Sequence, residues 1–421
     1  MSGEKCLVRQ YFLKHKEYGK DCMAILGLVV LSLYRTAGHA WWLVLTGRGL
    51  PKSSDSYWYI SYACGLLDNF SIGLNMDEVL YLGYNLLLAL LLGVFKSTVT
   101  VVLIQAVTAS LAIILVYRIA LLLFNRTTAV LAGFCYLYIW DITLWSTYVL
   151  TDSFFVSLLL LCVYLLLRAM EPGRPLYKAA FAVTAIYMCF FRPTGIIIMV
   201  MMGLYISWQA DKKKMTDFLL KYKYCWSGLL VAAVILCGYL YSRSVFDPLI
   251  HSLQYNAKLV LYNVYAKGWI YDIPTSFDFF FRPNYSIDIG DSLILSFLVH
   301  NWESISVLYA RRAIAFFGAW TWQIPINSWM DAMYFAFKLL PAGLFAVGTI
   351  AALRNGKFNR AAILWLIVIA VFAFCVLLFI DAMYRYRFPA MPFIAIVVAY
   401  GMDRTISGGW SLAKRARTLR S

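Results

Sequence analysis

Ten runs of largely apolar residues divide this chain, and their lengths leave few folds open. They lie at 24–45, 99–123, 127–147, 153–170, 178–191, 194–209, 226–243, 335–353, 361–380 and 388–402. A helix needs about 20 apolar residues to cross the ~30 Å hydrocarbon core of a bilayer. Hydrophobic residues make up 62% of the 421 and charged ones 14%, with mean hydropathy +0.72, against the ~45–50% apolar content of a soluble domain. Lipid offers no partner for backbone polar groups, so spans of this composition are helices. The expected fold is an all-α polytopic membrane protein with about ten transmembrane helices. Ordinary soluble enzymes, disulfide-rich secreted domains and disordered tails are excluded.

A net charge of +16 would suggest a polyanionic partner in a soluble protein. Here its distribution decides. Lys5, Arg9, Lys14, Lys16 and Lys20 precede the first run, and no small-residue cleavage site follows that run, so it reads as a retained helix with a cytoplasmic N-terminus. With ten spans both termini lie inside. The segments then assigned inside (1–23, 124–126, 168–178, 210–224, 354–360, 403–421) hold 22 Lys and Arg in 78 residues, and those assigned outside hold 12 in 158. That is the positive-inside pattern of a plasma-membrane protein. The charge is largely topological, and nucleic acid is not an expected partner.

Two outer loops, 46–98 and 243–334, are long enough to carry function. Within the first, 79–95 is apolar but short, which fits a helix at the outer interface. Counting it as a span would place Lys212-Lys213-Lys214 and the basic tail outside. In the second, 291–319 reads as another amphipathic surface helix, with Trp302, Trp320, Trp322 and Trp329 as interface anchors. Of nine cysteines only Cys64 falls in an outer loop, so no disulfide framework is expected there. His15, His39, His251 and His300 lack metal-ligand spacing. There is no Gly-rich phosphate loop, no GxSxG and no internal repeat.

Ionisable residues at the outer boundary carry the chemical information, because charge near hydrocarbon is costly. Asp55 lies in Ser54-Asp55-Ser56-Tyr57-Trp58-Tyr59, inside an aromatic cluster, and Asp152 follows Thr151 at the outer start of the fourth span. The plainer reading of each is a solvated or helix-capping aspartate. Arg192 in Phe191-Arg192-Pro193-Thr194-Gly195, and Arg385 with Arg387 in Tyr384-Arg385-Tyr386-Arg387-Phe388-Pro389, are placed outside against the charge trend. Arginine forks bind phosphate bidentately, and a lipid phosphate is the anion at that depth; snorkelling to headgroups is the plainer reading. Arg311-Arg312 and Arg282 are weaker candidates for phosphate. Arg35, inside the first span, is expected to bond between helices. Asp77-Glu78 could supply a further acid. Carboxylates facing arginines at an outer membrane surface suit displacement of a phosphorylated lipid, with a carboxylate as general base and arginines on the leaving phosphate.

The Asp55 loop, YLGYNLLLALL, the run IQAVTASLAIILVYRIALLLFNRTTAVLAGFCYLY, the Thr-Asp152 step, FRPTG and RYRFPAMPFIAIVVAYG together resemble the GT-C membrane glycosyltransferases. The similar group is the bacterial family related to dolichyl-phosphate-mannose protein mannosyltransferases and to the aminoarabinose transferase of lipid A. The resemblance covers 24–209 and 361–402. It implies GT-C-like architecture with juxtamembrane helices in both long outer loops. It also implies inverting transfer from a polyprenyl-phosphate monosaccharide to a glycan, lipid or other envelope acceptor on the outer face. The catalytic carboxylates would be Asp55 as base and Asp152. The donor phosphate would meet Arg192, Arg385, Arg387, Arg311 and Arg312, and Tyr57, Tyr59 and Tyr84 would line the substrate cavity.

Besides the donor and acceptor, the expected partners are membrane lipids. The implied organisation is a cytoplasmic N-terminus 1–23, a module 24–242 with its catalytic loop 46–98, the loop 243–334, C-terminal helices 335–402 and a basic tail 403–421. Two departures stand out: Ser56 occupies a position where many relatives carry a second acid, and Leu82-Gly83-Tyr84-Asn85 replaces Pro-rich sequence. No cofactor is expected, and a divalent metal stays open. The alternatives are a polymerase of polyprenyl-linked glycans or a flippase. Transporters show inverted repeats and midplane charge, and neither is visible here.

Overall fold

The computed structural model describes residues 19–261, 267–270, 278–317, 326–377 and 383–418. Trp320 and Trp322, and the basic residues before Gly19, lie outside them. Among the described residues the chain is helical, with no strand. In chain order the helices are α1 Gly19–Leu45, α2 Ser54–Asn69, α3 Met76–Leu80, α4 Leu82–Phe95 and α5 Thr98–Leu123. Then come α6 Arg126–Tyr138, α7 Trp140–Trp145, α8 Thr151–Ala169, α9 Pro175–Cys189, α10 Pro193–Gln209, α11 Lys212–Lys221, α12 Lys223–Ser242 and α13 Asp247–Val260. The rest are α14 Leu293–His300, α15 Trp302–Phe316, α16 Trp329–Arg354, α17 Phe358–Val376, α18 Met383–Tyr386 and α19 Met391–Thr418.

The chain is a multi-pass membrane protein. Six of these helices, α1, α5, α8, α12, α16 and α17, are long and apolar enough to cross a bilayer alone. The expected count of ten meets three modifications. The run 127–147 is broken at Ile139, whose extended backbone separates α6 from α7. The runs 178–191 and 194–209 form helices of 15 and 17 residues, joined by the tight turn at Phe190-Phe191-Arg192. The run 388–402 opens as one turn of 3₁₀ helix, Phe388–Ala390, and continues as the 28-residue α19. The surface helix expected over 291–319 is instead the pair α14 and α15, bent by 85°. The short apolar stretch at 79–95 becomes α4, which packs on α2 and buries Gly83, Tyr84, Asn85, Leu88 and Ala89.

Close contacts between small residues and capped helix ends hold the bundle together, as they must where lipid weakens the hydrophobic drive. α16 and α19 touch through Gly348 and Gly401. A Cβ on Gly348 would lie 2.3 Å from the Val397 carbonyl, and one on Gly401 would lie 2.1 Å from that of Leu344. α6 stops at Tyr138, leaving carbonyls without helical partners. Arg35, in a π-helical turn of α1, donates to the carbonyls of Leu137 and Tyr138, so it does bond between helices.

Candidate active site

Asp55 and Asp152 each stand in the first turn of a helix, and neither serves as its cap. Ser53 caps α2: its hydroxyl accepts from Ser56 N, while Ser56 Oγ accepts from Ser53 N. This reciprocal box uses Ser56, the residue standing in place of a second acid, and leaves the Asp55 carboxylate to point elsewhere. Leu150 precedes α8 and supplies no side-chain cap. Asp152 is fully buried there, so its charge needs partners from other elements.

Two constructions deliver those partners. The buried side chain of Gln105 in α5 donates from Nε2 to the carbonyls of Trp145, Ser146 and Tyr148 at 3.2, 3.2 and 2.7 Å, fixing the turn that leads into α8. On the facing side, Gly83 N at the start of α4 donates to Phe190 O at 2.7 Å, and Tyr187 Oη donates to Gly83 O at 2.8 Å. A Cβ at Gly83 would sit 2.9 Å from that carbonyl, which gives the glycine in Leu82-Gly83-Tyr84-Asn85 its physical reason. The hairpin so clamped presents Arg192, with Pro193 opening α10 and Gly195 packed where a Cβ would be 2.4 Å from Met188 O.

The result is a continuous line of alternating charge. Arg192 Nη1 donates to Asp152 Oδ1, Arg385 Nε donates to Asp152 Oδ2 at 2.8 Å, and Arg385 Nη1 donates to Asp55 Oδ2. Four elements far apart in sequence meet here: α2, α8, the N-terminus of α10, and α18. The line runs from the interior outward, with side-chain exposure of 1% for Arg192, 0% for Asp152, 12% for Arg385 and 45% for Asp55. A ligand arriving from solvent therefore meets Asp55 and the edge of Arg385 first. Burial works against the Arg385 charge, but Asp152 first, then Tyr386, Tyr59 and Asp55, more than offset it and hold the guanidinium protonated above its ordinary range. Tyr386 lies under both arginines, its ring 4.5 Å from the Arg192 guanidinium and 5.8 Å from that of Arg385, and Trp145 flanks Arg385 at 5.9 Å, within cation–π reach.

Around this line the polar groups are incompletely satisfied. Arg192 Nε and Nη2, Thr151 Oγ1, Ser153 Oγ and Tyr84 Oη are buried without a hydrogen-bond partner among the described residues. Tyr59 and Tyr84 are buried and meet edge to face, with ring centroids 5.0 Å apart, and burial raises the Tyr59 phenol. Tyr57 is 61% exposed. Asp77 lies close enough to feel Asp55: lost hydration raises its carboxyl, and the charges of Asp55 and Glu78 raise it further, although the residue as a whole stays exposed.

The remaining arginines named from sequence are spent elsewhere. Arg387 Nη1 donates to the carbonyls of Ala315 and Phe316 at 3.0 and 3.4 Å, and its Nη2 is 4.0 Å from Asp141. The buried Arg312 donates to Trp269 O and Cys375 O, both at 2.9 Å. These two tie α15 to the ends of α17 and α19. Arg311 stacks 4.9 Å over Phe279, and Arg282 is exposed. Of the five arginines, the geometry joins only Arg192 and Arg385 directly to the two aspartates. The sequence pattern does not single out Tyr386 or Trp145 as site residues, and it offers Thr151 only as a neighbour of Asp152; the position of Tyr386 between two outer arginines is its one available signal. Among the described residues no three His, Cys, Asp or Glu side chains gather as metal ligands would. An open apolar groove of about 290 Å³ begins beside Phe154 and Phe191, the neighbours of Asp152 and Arg192.

Residues 82–241 match the family model described as dolichyl-phosphate-mannose-protein mannosyltransferase. The matched stretch spans 160 of the 421 residues. It carries Asp152, Arg192 and Tyr84 and stops short of Asp55 and Arg385. Among solved structures, the archaeal oligosaccharyltransferase AglB from Archaeoglobus fulgidus, in complex with an inhibitory peptide and a dolichol-phosphate, aligns at 13% identity. That alignment covers 95% of this chain with a TM-score of 0.46. The chain spans about half of that protein, 52% of its length. No curated protein matches.

Proposed function

We propose that the chain transfers a monosaccharide from a polyprenyl phosphate to a hydroxyl of an envelope glycan or lipid, with inversion, at the outer face of the plasma membrane. The observation that carries the reading is the sharing of Arg385 between Asp55 and Asp152. In the reaction the acceptor oxygen bonds to the anomeric carbon as the bond from that carbon to the phosphate oxygen breaks. The acceptor proton passes to Asp55, and the electron pair leaves with the polyprenyl phosphate. A phosphate oxygen that takes one edge of the Arg385 guanidinium releases Asp55 Oδ2 to accept the proton, so donor binding itself frees the base. Asp152, held by Arg192, keeps Arg385 oriented while this exchange takes place. The groove beside Phe154 and Phe191 would seat the prenyl chain.

The family match supports the donor class, since its members are described as acting with dolichyl-phosphate mannose. The Lys and Arg distribution supports an outer site with both termini inside. In this reading 24–242 is the donor-handling module and 243–334 meets the acceptor. The test is transfer from a sugar-labelled polyprenyl-phosphate monosaccharide into native envelope extract by the protein in proteoliposomes. General-base catalysis is worth about 10²–10⁴-fold, so Asp55→Ala should fall at least about 100-fold. Retention of more than about a tenth of the rate overturns the base, and an intact donor with wild-type protein overturns the reaction.

A further inference from the structure

At the opposite end of the bundle a second cavity, of about 380 Å³, is lined by Phe124, Asn125, Asn355, Lys357, Tyr400 and Arg404. Its place follows from α5: Gln105 serves the candidate active site, and Phe124 lies nineteen residues further along, about 28 Å at 1.5 Å per residue. That is close to the ~30 Å hydrocarbon thickness. Two chain turns meet there, between α5 and α6 and between α16 and α17, against the middle of α19. The volume falls within the range of small-molecule sites, about 300–1,000 Å³.

The lining is already ordered and is cationic. Phe124 stacks on Tyr400 at 4.1 Å, and Asn355 Nδ2 donates to Tyr400 Oη at 2.9 Å. Asn125 Nδ2 donates to Asp403 Oδ2 at 2.9 Å, and Arg404 donates to the same oxygen through Nε and Nη2 at 3.1 and 2.5 Å. That oxygen is saturated, and the lining itself contains no carboxylate. Lys357 is exposed and has no ion-pair partner among the described residues. With Arg404 already paired to Asp403, Lys357 leaves one uncompensated cation on a cavity with an aromatic floor, at the depth where a headgroup would lie. Basic pockets between transmembrane helices take phosphate in this way.

We propose that this cavity binds a phosphate group, carried by an anionic phospholipid headgroup or by a free phosphate ion. The full-length protein is released for native mass spectrometry from micelles containing phosphatidylglycerol or, as a neutral control, diacylglycerol; inorganic phosphate is titrated separately by calorimetry. Wild type should retain one phosphatidylglycerol and no diacylglycerol. Lys357→Glu should cut that retention at least fivefold, and Lys178→Ala, exposed at the same end, should leave it unchanged. Arg404→Gln should act in the same direction as Lys357→Glu. Phosphate binding that Lys357→Glu abolishes, without lipid retention, supports the site with a soluble ligand. Lipid retention indifferent to Lys357→Glu, or binding in neither arm, overturns it. None of these readouts depends on sugar transfer.

Discussion

The two ends of this bundle both bury aspartates against arginines, and they do so to different effect. At the end that carries the second cavity each carboxylate is completed locally. Asp21 in α1 takes Arg126 Nε at 2.7 Å, Arg126 Nη2 at 3.1 Å and the Tyr117 hydroxyl at 2.6 Å. Asp403 takes Asn125, Thr128 and Arg404. At the candidate active site one arginine is divided between two acids, and the surrounding Thr151, Ser153, Tyr84 and Arg192 retain unpaired polar atoms. Buried polar groups are normally satisfied, and networks with members left over are costly. A completed knot secures helices; a line with a shared cation and unpaired donors is arranged for a group that arrives later.

Substitutions can break this contrast, and the largest effect belongs to Arg385. Arg385→Ala removes the partner of both acids and the group assigned to the leaving phosphate. Losing one preorganised electrostatic donor costs about 10²–10³ in rate, so transfer should drop at least that far in the proteoliposome assay, with donor competition weakened as well. Arg385→Lys keeps a charge but not the fork and should recover little. Next comes Arg192→Ala, which strips a fully buried carboxylate of one of its two cations. Breaking a buried pair costs about 3–5 kcal/mol, and with Arg385 still on Asp152 the loss should lie near the lower figure in detergent unfolding. Asp21→Asn at the other end should cost less, about 1–2 kcal/mol, because Arg126 is a third exposed; transfer per folded molecule should be unchanged. A rate loss from Asp21→Asn comparable to that of Arg385→Ala would erase the distinction between the two ends.

How far the sequence could lead depends on what kind of partner each residue has. Asp55, Asp152, Arg192 and Arg385 were visible because charge at an apolar boundary has few innocent explanations, and the structure brings these four together. Arg387 and Arg312 raised the same expectation, yet their guanidinium groups hold carbonyls of Ala315, Phe316, Trp269 and Cys375. A backbone carbonyl leaves no mark in sequence, so an arginine bound to carbonyls and one bound to carboxylates read alike. Helical segments were legible from apolar runs, but their breaks were less so. Ile139 interrupts a run that nothing in its composition divides, and the 85° bend between α14 and α15 falls inside a stretch that reads as continuous. The glycine at 83 was noticed as a departure, and only the contact with Phe190 O explains it.

The smallest expected effect tests the open rim of the line, at Asp77. Its carboxyl is raised by lost hydration and by the charges of Asp55 and Glu78, so the folded chain favours its protonated form. The stability it contributes is present below the ordinary aspartate range and is lost as pH rises through the raised value. Asparagine resembles the protonated state at every pH. Asp77→Asn should therefore raise the melting temperature near neutral pH, by no more than about 1–2 °C given how exposed the residue is, and should match wild type in acid. Asp403→Asn, at the completed knot, should instead lower it near neutral pH because three donors lose a charged acceptor. Two aspartate-to-asparagine changes with opposite signs would place surplus negative charge at the candidate active site and balanced charge at the far end. If Asp77→Asn lowered the melting temperature, Asp77 would be a paired carboxylate, and the surplus charge at that rim would have to be reassigned.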